Sequence, residues 1–246
     1  MALPKNSTPI YNLTIPSTEK VVKFRPFLVK EEKALLLAQQ SEDPIVMVNT
    51  LQDVINSCVL DKIDITKLAI FDLEYIFTQI RAKSVGEEVE LIFRCQHCDD
   101  PKAKTNVTIN LTDIEVKYHP EHAIKIPLFD DVGIVMKYPT ITIVKKLENI
   151  DADNIDDIFD IVINCIDYIY DNDQVYHASE SSEKELEEFL NNLNSEQFVK
   201  IQSFFETMPT VKQDVKYTCT ICNSVNQTTL SGISTFFLFC SVTRIW

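Results

Sequence analysis

Residues 87–111 read EEVELIFRCQHCDDPKAKTNVTINL, and residues 211–230 read VKQDVKYTCTICNSVNQTTL. The two stretches share one plan: an alternating run, a CxxC, a short polar turn and a second run. Glu87 to Arg94 alternates charged with apolar residues, the period of a half-buried strand. Val107 to Leu111 and Val225 to Leu230 read as the returning strands. A CxxC turn between two strands sets two sulfurs on one side of a tight loop. Two such knuckles facing each other offer four thiolates in a tetrahedron, the arrangement Zn²⁺ takes at ~2.3 Å from sulfur. The pattern therefore predicts a single Zn²⁺ held by Cys95, Cys98, Cys219 and Cys222. Four thiolates leave no open coordination position, so such a site is structural and contributes folding free energy.

The spacing sets a condition. Common zinc ribbons keep their knuckles roughly 15–20 residues apart, whereas here residues 99–218 intervene. The intervening chain must be an insertion that returns to its starting place, which the slow growth of loop-closure cost with length allows. Three other readings stay open. A redox CxxC is one, although such motifs normally open a helix whose N-terminus lowers the thiol pKa, and neither motif precedes a helical pattern. Separate metal sites completed by His97, His119 or His122 are the second, and four buried free cysteines the third. Cys58 and Cys165 lie on apolar helical stripes, and Cys240 follows Phe236–Phe239. These three read as small core residues.

Working outward, the chain reads as one α+β domain over 1–246. Residues 1–30 form an N-terminal β-hairpin, with Tyr11, Leu13 and Ile15 alternating and Val22 and Phe24 returning. Residues 31–85 are helical. Asp43 is an N-cap with Pro44 at the first helical position, and a further helix covers Phe71–Ser84. Residues 86–140 are β with the first knuckle. Residues 141–209 are helical again, with Ile155, Ile158, Phe159, Val162, Ile166 and Ile169 as one stripe and Asn194/Gln197 as a capping box. Residues 210–246 are β with the second knuckle. The fold expected is helical segments plus two β-hairpin zinc knuckles joined in a zinc-ribbon-like unit.

A net charge of −14 and a pI near 4.7 oppose phosphate binding, so no nucleic acid partner is expected. Lys20, Lys23, Arg25 and Lys30 read as a solvated strand face. No run of ~18 apolar residues is present, so no membrane insertion is expected, and Met1–Pro9 does not read as a signal peptide. Paired cysteines in a chain without a secretion signal favour metal over disulfide. GxSxG, P-loop, GxGxxG and HExxH motifs are all absent. The acidic stretch Glu148–Asp173 lacks the glycine and terminal glutamate of a calcium loop and reads as a solvated helix face. Neither catalysis nor a small-molecule substrate is expected. The apolar Ser231–Phe239 reads as core packing, with a partner-docking patch as the sharper alternative.

Longer stretches carry a resemblance. Met1–Lys5, Tyr11–Thr18, Phe24–Lys33, Phe71–Phe77, Arg81–Gly86, Ser195–Phe198, Phe204–Pro209, the second knuckle and Leu230–Phe237 resemble the baseplate hub proteins of T4-like bacteriophages. The resemblance implies a structural or assembly protein (a hub subunit or a hub chaperone) that binds other baseplate hub proteins. It implies a site of action in the host cytoplasm during assembly or in the virion tail, and leaves homo-oligomerisation open. It supplies no catalytic residue. The zinc assignment rests on the cysteines, not on the resemblance. A second reading, from a different class, is a host-directed zinc-ribbon adaptor acting on transcription or translation machinery.

Overall fold

The computed structural model describes residues 7–41, 43–146 and 155–232. Strand β1 (Tyr11–Thr14) pairs antiparallel with β2 (Val21–Phe24), setting Leu13 opposite Val22. Their inward side chains, with Ile15 and Phe24, are buried. Helix α1 (Val29–Ser41) follows, then α2 (Pro44–Cys58) and α3 (Ile70–Val85). As the sequence predicts, the Asp43 side chain accepts the Ile45 N–H at the start of α2, and Pro44 loses nothing there because its missing donor would be orphaned anyway. The Asp72 carboxylate accepts the Ala69 N–H at the start of α3. It also takes the Ser17 backbone N–H at 2.9 Å and hydroxyl at 2.5 Å, which ties the first hairpin turn to this helix. Gly86, at φ +136°, ends α3 in a conformation that side chains disfavour. Then come β3 (Glu88–Arg94), β4 (Lys104–Asn110) and β5 (Glu115–Lys117).

The remaining elements are β6 (Lys125–Phe129), β7 (Val132–Met136), α4 (Ile141–Lys146), α5 (Ile155–Asn164), β8 (Ile166–Tyr170), β9 (Val175–His177), α6 (Glu183–Asn191), α7 (Ser195–Thr207), β10 (Thr210–Thr218) and β11 (Val225–Ser231). The architecture is α+β with small sheets: β1–β2, β3–β4, β11–β10–β5 and β6–β7–β8–β9.

The chain groups into two compact units, residues 1–117 with 210–246, and residues 118–209. The sequence reading draws one domain with sub-regions 1–30, 31–85, 86–140, 141–209 and 210–246. Strands β6 and β7 pair with β8 and β9 and not with the knuckle strands, which places them in the second unit. The first unit's ends meet at one ladder: Thr210 lies opposite Lys117 and Val211 opposite Val116, antiparallel. The chain that leaves at β5 thus re-enters beside it at β10.

In the first unit α3 is the central element. Leu73, Ile76, Phe77 and Ile80 are fully buried, and α2 contributes Leu51, Val54 and Ile55. Helix α1 is anchored through Glu31, whose side chain is only 6% exposed. It accepts the Arg25 guanidinium at 2.8 Å, the Leu28 N–H at 2.8 Å and the Lys30 ammonium at 3.2 Å. Burial works to raise this carboxyl, but Arg25, Leu28 and Lys30 together hold it below its ordinary value. A carboxyl lowered in the folded state contributes stability above its unfolded pKa, and that contribution is lost as pH falls through the folded value. Glu31→Gln is expected to cost about 2 kcal/mol at neutral pH and to flatten the loss of stability below about pH 4.3, the usual glutamate value. Urea titrations at neutral and acid pH check both.

In the second unit the four-stranded sheet packs its buried face, Ile126, Leu128, Ile134, Met136 and Ile169, against Val162 of α5, Leu186 and Leu190 of α6, and Ile201 and Phe204 of α7. Gly133 lies directly opposite Tyr170, whose ring covers it. A Cβ at Gly133 would stand 2.1 Å from the Tyr170 hydroxyl. One expectation fails here. Ile166 and Ile169 do not continue the stripe of Ile155–Val162: the helix ends at Asn164 and both isoleucines belong to β8. The register slips between Val135 and Met136, so Met136 faces Ile166 while Val135 faces Tyr168. A bulge of this kind inserts one residue and lets positions three apart face the same side, which imitates helical spacing. The acidic stretch is therefore not one helix face. Its residues 148–154, and the segment from Ile233 to Trp246 with Cys240, lie outside the described residues.

Candidate metal centre

The β3–β4 hairpin carries Cys95 and Cys98 in its loop, and the β10–β11 hairpin carries Cys219 and Cys222 in the equivalent place. The two loops are built alike. In the first, the His97 N–H donates to the Cys95 sulfur at 3.3 Å. In the second, the Ile221 N–H donates to the Cys219 sulfur at 3.4 Å. The Cys95 N–H closes on the Ala103 carbonyl and the Cys219 N–H on the Ser224 carbonyl, each at 2.9 Å. Asn223 completes the second turn at φ +58°, a left-handed position that Asn tolerates better than most residues. Each loop thus turns its first cysteine inward through its own backbone.

The four sulfurs lie within 4.8 Å of one another. Cys95 and Cys222 are 3.6 Å apart, and Cys98 and Cys219 are 3.9 Å apart. For a metal–sulfur bond of ~2.3 Å, the edge of a regular tetrahedron is about 3.8 Å, so the donor set fits a four-coordinate ion. The separations are far too long for disulfides, which need about 2.05 Å, and all four thiols are free. Cys219 is buried, Cys95 and Cys98 half-buried, and Cys222 exposed.

The sulfurs differ in acidity. The Ser224 hydroxyl and N–H pull Cys222 down to about 6. Partial burial, with the sulfurs of Cys222 and Cys95 alongside, pushes Cys98 up to about 12. The His97 N–H lowers Cys95. Four neighbouring thiolates repel one another, and only a cation between them lets all four ionise together.

Hydrogen bonds across the hairpins hold the loops face to face. The Tyr217 hydroxyl donates to the Arg94 carbonyl at 2.7 Å, and its ring stacks on Phe93 with centroids 5.1 Å apart. The Asn226 side-chain carbonyl accepts the Gln96 N–H at 2.8 Å. The Thr105 hydroxyl donates to the Thr218 carbonyl at 3.3 Å. Sequence reasoning missed Tyr217 and Asn226. Their only signal was a polar or amphipathic residue at an inward-facing strand position within a few residues of a CxxC.

The other candidate ligands go elsewhere. The exposed His97 touches the cluster through its backbone only. His119 Nδ1 accepts the Glu121 N–H, and His122 places its two ring nitrogens 3.0 Å from the Thr207 and Tyr138 hydroxyls. Cys58 and Cys165 are fully buried, and burial raises them to about 11 and about 12. Among the described residues, the four knuckle cysteines are the one group of this kind able to hold a metal ion. Both CxxC loops run into strands, not helices. No helix among the described residues is long and apolar enough to cross a membrane.

A family model described as T4 bacteriophage base plate protein matches residues 8–238. No curated protein and no solved structure matches the chain.

Proposed function

Since the chain belongs to the T4 bacteriophage base plate protein family, we propose that it is a structural or assembly protein of the hub of a contractile-tail baseplate, built around a structural Zn²⁺ and acting by binding other hub proteins. The observation that supports the metal is the convergence of Cys95, Cys98, Cys219 and Cys222 at tetrahedral spacing from hairpins far apart in sequence. Zinc is the ion of choice for such a set, because a d¹⁰ cation accepts four thiolates without a competing geometric preference. On this reading the two hairpins form one zinc-ribbon-like unit within an otherwise continuous protein. All four positions are filled by protein, so the ion contributes stability and shape, not chemistry; the base plate family match supports reading the protein as a structural component and not an enzyme.

Its partners are then other phage tail proteins, met during assembly in the host cytoplasm or retained in the virion baseplate. The family match over residues 8–238 favours this over a host-directed adaptor. The test has two arms. Elemental analysis of the purified protein is expected to give about one zinc per chain. Phage lacking this protein is expected to accumulate tail intermediates without a hub, restored by supplying the chain in trans. Normal hubs in its absence would sink the baseplate role, and a metal-free protein of unchanged stability would sink the zinc.

A further inference from the structure

Resting on the four-thiolate reading, we infer that Asn226 and Tyr217 are positioning residues for the metal. Together they clamp the backbone on both sides of Cys95, so that a loop from one hairpin is aimed by the other.

The two residues lie opposite each other across the β10–β11 ladder, Tyr217 against Asn226. Both are buried, Asn226 to 1% exposure. Both reach the β3–β4 hairpin, and they meet it at peptide groups flanking the same cysteine. Tyr217 donates to the carbonyl of Arg94, just before Cys95. Asn226 accepts from the N–H of Gln96, just after it.

The orientation of the Asn226 amide is fixed by what surrounds it. Its Oδ1 faces a backbone donor, the Gln96 N–H, and its Nδ2 donates to a backbone acceptor, the Ser224 carbonyl, at 3.0 Å. Reversing the amide would set donor against donor and acceptor against acceptor. One side chain therefore bridges the two knuckles, touching the first beside Cys95 and the second two residues from Cys222. The Cys95 sulfur lies 3.6 Å from the same Oδ1. A buried amide with both ends used is costly to misplace, since each group left without a partner loses its full desolvation energy. The clamp thus has one low-energy setting, and in that setting Cys95 stands 3.6 Å from Cys222. Residues that hold a ligand's backbone act on a metal as outer-shell groups do, and their loss typically costs 10–100-fold in metal affinity.

The experiment measures Zn²⁺ affinity by chelator competition on the full-length chain, together with the visible spectrum of the Co²⁺-substituted protein. Asn226→Ala is expected to lose about 10–100-fold in affinity and to change the ligand-field bands of tetrahedral cobalt, with helical content unchanged in excess zinc. Tyr217→Phe keeps the Phe93 stack and removes a single hydroxyl, and is expected to lose about tenfold at the lower end of the same range. Thr228→Ala, on the same strand and half-buried, is expected to leave affinity and spectrum unchanged, which separates aiming of the site from general loosening of the strand.

Wild-type affinity within about twofold in both clamp variants would overturn the inference while leaving the metal site standing. So would an equal loss in Thr228→Ala. If Asn226→Ala does not fold even in excess zinc, Tyr217→Phe decides alone. A wild-type chain that binds no metal overturns the four-thiolate reading itself, and this inference with it.

Discussion

Chelation of zinc from the purified protein is expected to abolish cooperative unfolding of the unit that carries the knuckles, not merely to shift it. Apparent binding free energies for structural zinc run to about 10–16 kcal/mol at neutral pH, and whole domains are stable by only about 5–15 kcal/mol. On the four-thiolate reading, removing the ion takes away as much as the unit has. It also leaves four thiols within 4.8 Å that cannot all ionise. Single substitutions should rank by burial. Cys219→Ser, at a fully buried position that also accepts the Ile221 N–H, should cost more than Cys222→Ser at the exposed corner. Thermal scans with and without chelator, and metal retention for each variant, read this out directly. Scans that superimpose before and after chelation would refute the expectation.

The second large effect is expected from Phe77→Ala. Phe77 is fully buried on α3, and Leu73, Ile76 and Ile80 around it are equally buried, so its surroundings are packed and the more open side of the helix, Tyr75, Gln79 and Lys83, lies elsewhere. Truncating a phenylalanine in such a place typically costs about 3–5 kcal/mol, as lost transfer energy plus an unfilled cavity. That approaches the whole stability of a domain. Denaturant titration in excess zinc is the measurement. A change below about 1 kcal/mol, the scale of a conservative core swap, would mean that α3 is not the centre of the core. The two variants differ in kind: extra zinc can offset part of the cysteine loss by mass action, while the Phe77 cavity remains at any zinc concentration.

How much of this was legible in the sequence depended on whether the signal was local. Asp43 before Pro44 and Asn194 before Gln197 name helix starts because the capping bonds lie within three residues. The duplicated CxxC between alternating runs pointed to four cysteines that the structure does bring together. Where the signal was not local, reading failed. Nothing in Glu115–Lys117 marks it as the strand that receives β10. The bulge opposite Val135 gave Ile166 and Ile169 a helical spacing that only the partner strand could unmask. Asn226 looked like one polar residue among several in Val225–Ser231, and its importance lies in reaching a backbone N–H 130 positions away.

The pairing of Lys117 with Thr210 has a consequence for the order of events at the ribosome. Cys98 and Cys219 are 121 residues apart. At about 5–20 residues per second, the first loop therefore emerges roughly 6–24 s before the second. Throughout that interval only half a ligand set exists, while the whole of residues 118–209 is made and can fold. The four cysteines can come together only after Cys219 and Cys222 have been synthesised. A product that stops before Cys219 therefore lacks half of the donor set.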